Sequence, residues 1–376
     1  MDTRAYEKWA PQRRPLLVPR GVDIDEGPWR DAPGGCDGEG MSAELLKLAR
    51  SGRGEAFAEL VAPHRRELHV HCYRILGSVA DADDALQETW LSAWKSLEGF
   101  EERSSFRTWL YRIATSRCLN MLRSGRRRGE GAPGLLPPDT QPPVPTRLNE
   151  VTWLDAYPDF LLDELVDPAP GPESRLVSKE AISLAFVTAL QLLPPRQRAA
   201  LVLRDVLGFS AREVAQMLDV TEESVTSALK RARATVSREA LMERETSTVI
   251  ESMAEQDLLN RLVAAFEASD VHQLVALMTE DVLLRMPPVP LEYQGREPVA
   301  DFFAAVAFRD SRRYRMVPSR ANGQPAFATY LLDPHGQIWQ AFGLLVITVR
   351  EDGVCAFTRF DNAVIGRFGF PRTLTD

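Results

Sequence analysis

Apolar residues recur at helical spacing over most of this 376-residue chain and change to strand spacing near its end. A first helix is expected at Ala43–Ala49. In the stretch from Ala82 to Leu97, Ala85, Leu86, Thr89, Trp90, Ala93 and Trp94 fall on one side of a helix and predict a buried stripe. Asp81, Asp84, Gln87 and Glu88 gather on another side as a compact acidic and amide face. A polar loop at Glu101–Ser105 follows. The next segment, Phe106–Ala114, alternates aromatic residues with arginines, and Arg117, Asn120, Arg123 and Arg126–Arg128 continue its basic side. Nearer the end, Gln256–Ser269 and Val271–Met278 read as helices. Met286–Val306 reads as a strand and turn running into a helix, and Phe342–Arg350 and Val354–Phe360 as strands around Glu351-Asp352-Gly353.

The most specific local pattern lies between Gly208 and Arg233. Ser210 with Glu213 forms a capping box, which starts a helix at Ala211. Val214, Ala215, Met217 and Leu218 give that helix one apolar face, and Asp219-Val220 ends it. Thr221 then caps a second helix whose Val225, Ala228, Leu229, Ala232 and Val236 face the core. Glu222, Glu223, Thr226, Ser227, Lys230, Arg231 and Arg233 are left facing outward. Short polar residues at the start of a helix and cations farther along suit entry into the major groove, with bases read first and phosphates gripped after. An amphipathic helix pair with a solvated basic face is the plainer alternative.

Composition narrows the partners. The chain carries 53 acidic against 45 basic residues, a net charge of −8, which argues against a protein that coats nucleic acid by itself. It does not exclude local basic patches delivered to DNA by a larger partner. Cys36, Cys72, Cys118 and Cys355 are scattered without metal-ligand or redox spacing. His69 and His71 near Cys72 fall on different faces of a helix, so no metal and no cofactor is expected. Without a membrane-spanning run or a signal-peptide core, the expected location is the cytoplasm. Residues 1–40 are rich in Pro, Gly and charge and read as a disordered leader, with Met41 a candidate natural start. Two helical regions, 41–128 and 173–245, are separated by a Pro-rich acidic connector at 129–172. Its aromatic island WLDAYPDFLLDEL, Trp153–Leu165, is of the kind that docks on something.

DADDALQETWLSAW followed by SSFRTWLYRIATSRCLNMLR resembles the conserved second domain of sigma-70 family factors of the extracytoplasmic-function group. LPPRQRAALVLRDVLGFSAREVAQMLDVTEESVTSALKRARATV resembles their fourth domain. Residues 253–376 resemble a SnoaL-like (NTF2-like) α+β cone, the appended domain of one subgroup. The fold class so implied is multidomain: two all-α domains, the second with a helix-turn-helix, a Pro-rich linker, and the cone.

The resemblance implies that Asp81, Asp84, Gln87 and Glu88 dock on the clamp coiled coil of the largest subunit of core RNA polymerase. It implies that Arg107, Trp109, Arg112, Arg117, Asn120 and Arg123 meet the −10 element of promoter DNA, where aromatic faces and cations hold unstacked bases. Glu222, Glu223, Thr226, Ser227, Lys230, Arg231 and Arg233 would read the −35 element. The loop departs from the commoner basic, glycine-containing pattern by carrying Glu101-Glu102-Arg103. The connector would thread through the polymerase with its acids against a basic channel. In the cone, Tyr293, Tyr330, Trp339, Arg359 and Asp361 are the expected pocket residues. Asp361 is either a proton-transferring base or a partner of Arg359 and strand-end cap, and the cap is favoured, so no enzyme activity is expected. An anti-sigma factor or a small ligand of the cone is a further candidate partner. The competing reading is a stand-alone helix-turn-helix regulator with a ligand-sensing C-terminal domain.

Overall fold

The computed structural model describes residues 38–124, 141–148, 154–162, 182–242, 253–333 and 338–375. Internal contacts divide them into two bodies. One holds 38–124 with 194–232, and the other holds 141–193 with 233–375. The leader lies outside the described residues except for its last three positions, which already belong to the first helix.

The first body is helical throughout: α1 (Gly38–Arg50), α2 (Gly54–Val61), α3 (Arg65–Leu76), α4 (Val79–Ser96) and α5 (Phe106–Arg123). Side chains at the ends set these boundaries. α3 stops at Gly77, whose φ of 71° few other residues adopt without strain. Ser78 accepts the Asp81 amide at 3.3 Å, which starts α4 three residues earlier than its apolar stripe suggested. Ser105 accepts the Thr108 amide at 3.0 Å and starts α5. Ala82, Ala85, Leu86, Thr89 and Ala93 of α4 are buried as their spacing predicts, but Trp94 is 37% exposed. Its ring meets Phe57 of α2 edge-on at 5.1 Å and lies at the rim of the core.

α6 (Leu184–Gln191) belongs to the second body, whereas α7 (Pro195–Leu201), α8 (Ala211–Leu218) and the start of α9 (Glu222–Met242) belong to the first. The expected single domain at 173–245 is therefore divided. The reason is visible in the contacts: the Leu184 amide donates to Gln324 of the C-terminal sheet at 3.3 Å.

The second body is an α+β cone. α10 (Met253–Glu267), α11 (Val271–Ala276) and α12 (Arg296–Phe302) lie with a curved sheet ordered β1-β3-β2-β7-β6-β5-β4, with β8 on β6. The strands are β1 (Arg147–Leu148), β2 (Met278–Met286), β3 (Val289–Gln294), β4 (Tyr314–Ala321), β5 (Gln324–Leu332), β6 (Ile338–Arg350), β7 (Gly353–Phe360) and β8 (Thr373–Thr375). Only β2 and β7 pair in parallel. Alternate positions, among them Phe327, Leu345, Ile347 and Phe357, join Leu262, Phe266, Phe302 and Phe303 of the helices in one core. A bulge at Phe342 shifts the β5–β6 register next to Gly343, where a Cβ would overlap the Phe360 carbonyl oxygen.

The other face of the sheet is buried too. Ala326, Ala328, Tyr330, Leu344, Val346 and Phe360 are inaccessible although they are not part of the helix-side core. The 3-10 helix Asn362–Phe368 packs on β6 and covers part of this face.

The connector covers more. Its residues 147–148 add β1 to the open edge of β3, and Arg147 joins the buried pair of Glu292 and Arg285, the latter at 2.9 Å. Asp155 meets Arg367 at 3.2 Å, and Leu154, Ala156 and Tyr157 are buried. At the far edge, Pro158 bridges Ala321, and Asp159 takes the Gly323 amide at 2.8 Å and Arg320 at 3.3 Å. Of the aromatic island predicted to dock, residues 154–162 pack on the sheet of the same chain, while Trp153 and residues 163–165 lie outside the described residues.

Candidate nucleic-acid and partner interfaces

The α4 acids separate by face as expected. Asp84, Gln87 and Glu88 stand at i, i+3 and i+4 and are exposed, with the apolar members of the same turns buried behind them. Asp81 is half-buried in the first turn, where its amide is held by Ser78. Leu91, 36% exposed, continues the three outward residues by one turn. The face is thus a short exposed acidic strip with an apolar end.

The basic side of α5 is less uniform. Arg112, Asn120 and Arg123 are exposed, and Arg117 is half-buried. Asn120 accepts from Arg123 at 2.6 Å, so these two present one joint polar surface. Trp109 is half-buried and packs tilted against Phe100 at 4.9 Å and Phe106 at 5.6 Å, in a cluster of three aromatic rings. Arg107 is different. Its Nε donates to Glu67 at 2.9 Å, and Glu67 also accepts from Tyr111 at 3.2 Å and lies 2.7 Å from His64. Burial pushes the Glu67 carboxyl up, but hydrogen bonds from His64 and Arg107 outweigh it and hold it below the ordinary range. Arg107 is thus tied to Glu67 while its side chain stays 40% exposed, unlike the exposed Arg112 and Arg123. Nothing in the sequence linked positions 67 and 107, which lie on different helices.

The helix-turn-helix follows its sequence closely. Ser210 and Glu213 form the full capping box, with the Ser210 amide 2.8 Å from Glu213 and the Glu213 amide 3.2 Å from Ser210. α8 ends at Asp219 in the left-handed region. Thr221 caps α9 through the Ser224 amide at 3.2 Å. Val225, Leu229 and Ala232 are buried, while Glu222, Glu223, Thr226, Ser227, Lys230, Arg231 and Arg233 are all exposed. Hydrogen bonds from its own backbone amide and from Thr221 lower the Glu223 carboxyl, so the first turn stays anionic.

Within this body the helix-turn-helix packs on α5. Phe209, just before α8, lies edge-on to Tyr111 with centroids 5.3 Å apart, and the Arg107 guanidinium stands 5.4 Å from its ring. Buried Arg198 of α7 donates to the Ile75 carbonyl at the end of α3. Sequence reading passed over Phe209 because a single aromatic before a cap has no periodicity to reveal its partner.

In the cone, the five expected pocket residues each have a defined surrounding, and Arg359 and Asp361 lie close enough to interact electrostatically. Tyr293 is buried and donates to the Pro143 carbonyl of the connector at 2.8 Å. Tyr330 donates to Pro371 at 2.8 Å and stands outside the helix-side core. Burial raises its phenol to about 12. Trp339 is covered by the guanidinium groups of Arg315 at 4.5 Å and Arg313 at 5.8 Å. Arg359 lies over Phe342 at 4.1 Å and donates to its carbonyl at 3.0 Å, and burial lowers it to about 10. Asp361 accepts the Ala363 amide at 2.8 Å and caps the 3-10 helix, and its charge also acts on Arg359. On the helix side of the sheet Phe266, Phe303, Phe308 and Tyr314 pack ring against ring at 5.1–6.0 Å. No group of three or more potential metal ligands occurs among the described residues.

Comparison with known proteins agrees with this layout. Residues 60–128 match the model of Sigma-70 region 2, residues 183–236 that of Sigma-70 region 4, and residues 259–357 that of the SnoaL-like domain. The chain is 40% identical over 328 residues to the ECF RNA polymerase sigma factor SigG of Mycobacterium tuberculosis, covering 86% of this chain and 85% of that protein. It is 29% identical over 306 residues to SigJ of the same organism, covering 78% and 87%. The crystal structure of Mycobacterium tuberculosis SigJ superimposes with a TM-score of 0.52 at 24% identity, over 84% of this chain and 99% of that one, a likeness of fold.

Proposed function

Because the chain belongs to the extracytoplasmic-function (ECF) group of RNA polymerase sigma factors, we propose how its exposed faces divide the work of that family. The protein is a promoter-recognising subunit that joins core RNA polymerase and directs initiation. Asp84, Gln87 and Glu88, continued by Leu91, form the face that docks on the clamp coiled coil of the polymerase, with Asp81 holding the start of α4. Arg112, Arg117, Asn120 and Arg123, with the half-buried Trp109, receive the −10 element. Glu222, Glu223, Thr226 and Ser227 read the −35 element while Lys230, Arg231 and Arg233 hold its phosphates. Work of this kind places the protein in the cytoplasm, and among the described residues no helix is long and apolar enough to cross a membrane. In this reading the cone modulates the other domains, and Asp361 serves as the cap of the 3-10 helix.

The observation that carries this reading is the separation of faces: the seven helix-turn-helix residues and three of the four α4 positions are exposed, while the residues between them form the core. A second feature sets a condition on it. The −10 and −35 elements lie about 25 base pairs apart, or ~85 Å of duplex at 3.4 Å per step. Helices α5 and α8 are in contact, so a chain in this arrangement cannot read both elements at once. The free protein is therefore closed, and core polymerase must draw the two readers apart. The test is initiation from a mapped promoter. Specific transcripts should appear only when the protein is mixed with core polymerase, and tight promoter binding by the protein alone would overturn the reading in favour of a stand-alone regulator.

A further inference from the structure

We propose that Arg50, at the end of α1, is a positioning residue for base selection at the −10 element. Its guanidinium fixes the shape of the loop Glu101–Ser105 so that Glu101 and Arg103 are presented to an unstacked base. The proposal rests on the reading of α5 as the helix that receives this element, and it adds the loop before α5 and the residue that shapes it.

Both ends of the loop are fixed. Before it, the buried ring of Phe100 lies against Phe106 and Trp109, and the Phe100 amide donates to the Leu97 carbonyl at 3.2 Å. After it, Ser105 caps α5 through the Thr108 amide. All residues from Glu101 to Ser105 are exposed.

The shape between the ends is set from another helix. Glu102 has φ 56°, in the left-handed region that residues with a Cβ adopt only at a cost. Arg50, fifty-two positions earlier, holds it there. Its Nη1 donates to Glu102 Oε1 at 3.0 Å and its Nη2 donates to the Phe100 carbonyl. One planar guanidinium thus grips a side chain and a backbone group two residues apart, a fork that an ammonium could not reproduce. Arg50 is itself half-buried, where α1 packs on the 3-10 turn Leu97–Gly99. Because Glu102 is tied to α1, its neighbours Glu101 and Arg103 are left as the exposed charges of the loop, paired with each other. They set a carboxylate acceptor beside guanidinium donors next to the aromatic cluster. An unstacked base needs both kinds of group along its Watson–Crick edge and a ring surface beside it. A glycine at 102 would reach φ 56° unaided, but Arg50 would then have no carboxylate to hold. Selection depends on that hold: a fixed loop meets a wrong base with misplaced groups, and a loose loop adapts to it.

The test uses the full-length protein assembled with core polymerase. Its probes are short single-stranded DNAs carrying the non-template −10 element of a mapped promoter, with each base placed in turn at each position. The parent should prefer one base at one position of the element by roughly tenfold or more. Arg50→Ala should bind the preferred base roughly tenfold more weakly and bring the bases at that position within about threefold of one another. Its affinity for a duplex carrying only the −35 element should not change. Glu102→Gly removes an exposed side chain and gives the turn to a residue that adopts φ 56° freely, so it should keep the parent's thermal midpoint and lose the same discrimination. The double variant should match Arg50→Ala alone, because the second change then removes a contact already broken. Discrimination equal to the parent's in either single variant overturns the role of Arg50. So does a double variant in which the two losses add, or a parallel loss on the −35 duplex in both single variants. A parent that binds none of the single-stranded DNAs overturns instead the reading of α5 on which the proposal stands.

Discussion

Replacing Phe209 by leucine should make the protein bind core polymerase more tightly. The ring is 6% exposed and closes α8 onto α5 through two contacts, an edge-on pair with Tyr111 at 5.3 Å and the Arg107 guanidinium at 5.4 Å. Leucine fills most of the same volume, so the fold of the helix-turn-helix is kept, but neither aromatic interaction survives. An edge-on aromatic pair contributes about 0.5–1.5 kcal/mol and a partly exposed cation–π contact about 0.5–1 kcal/mol. The closed arrangement therefore loses about 1–2.5 kcal/mol relative to the open one. Apparent affinity scales with the open fraction, and each 1.4 kcal/mol is a factor of ten, so core binding should improve by roughly 5- to 70-fold. Fluorescence polarisation of labelled protein titrated with core polymerase measures this, with far-ultraviolet circular dichroism to verify that helix content is retained. An unchanged or weaker affinity in a fully helical variant would refute the claim that this contact holds the readers together.

Two other outcomes follow from named side chains. The triple change Asp84→Ala, Gln87→Ala, Glu88→Ala should abolish core binding with a thermal midpoint within a degree or two of the parent, because all three are exposed; a melted domain in calorimetry would show that they are structural. Burial lowers the His71 imidazole to about 3, with Nε2 2.8 Å from Thr115, so below about pH 6.5 the unfolded chain binds a proton that the folded one refuses. Stability should then fall by about 1.4 kcal/mol for each pH unit of acidification below that point, and His71→Gln should flatten the slope of urea midpoints between pH 6.5 and 5; an identical slope in the variant would exclude His71 as its source.

The local elements were legible because their causes are local. The Ser210–Glu213 capping box, the Thr221 cap and the 3.6-residue spacing of Val225, Leu229 and Ala232 all act within one or two turns, so the outward face of α9 could be read directly from the chain. The same holds for the exposed acids of α4 and for Asp361 as a cap. Tertiary structure alone decided which candidates are tied to distant partners. Arg107 has the sequence surroundings of a DNA contact, yet Glu67, forty positions away, holds it. Trp94 follows the apolar stripe but lies at its rim, and Tyr330 and Trp339 were taken for cavity walls although the sheet turns them elsewhere. The placement of connector residues 147–148 and 154–159 is the furthest from what sequence could tell, because such short pieces have no period and their partners lie more than a hundred residues downstream, at Glu292, Asn322 and Arg367. Periodicity reports which side of an element is buried; what buries it depends on the packing of distant segments.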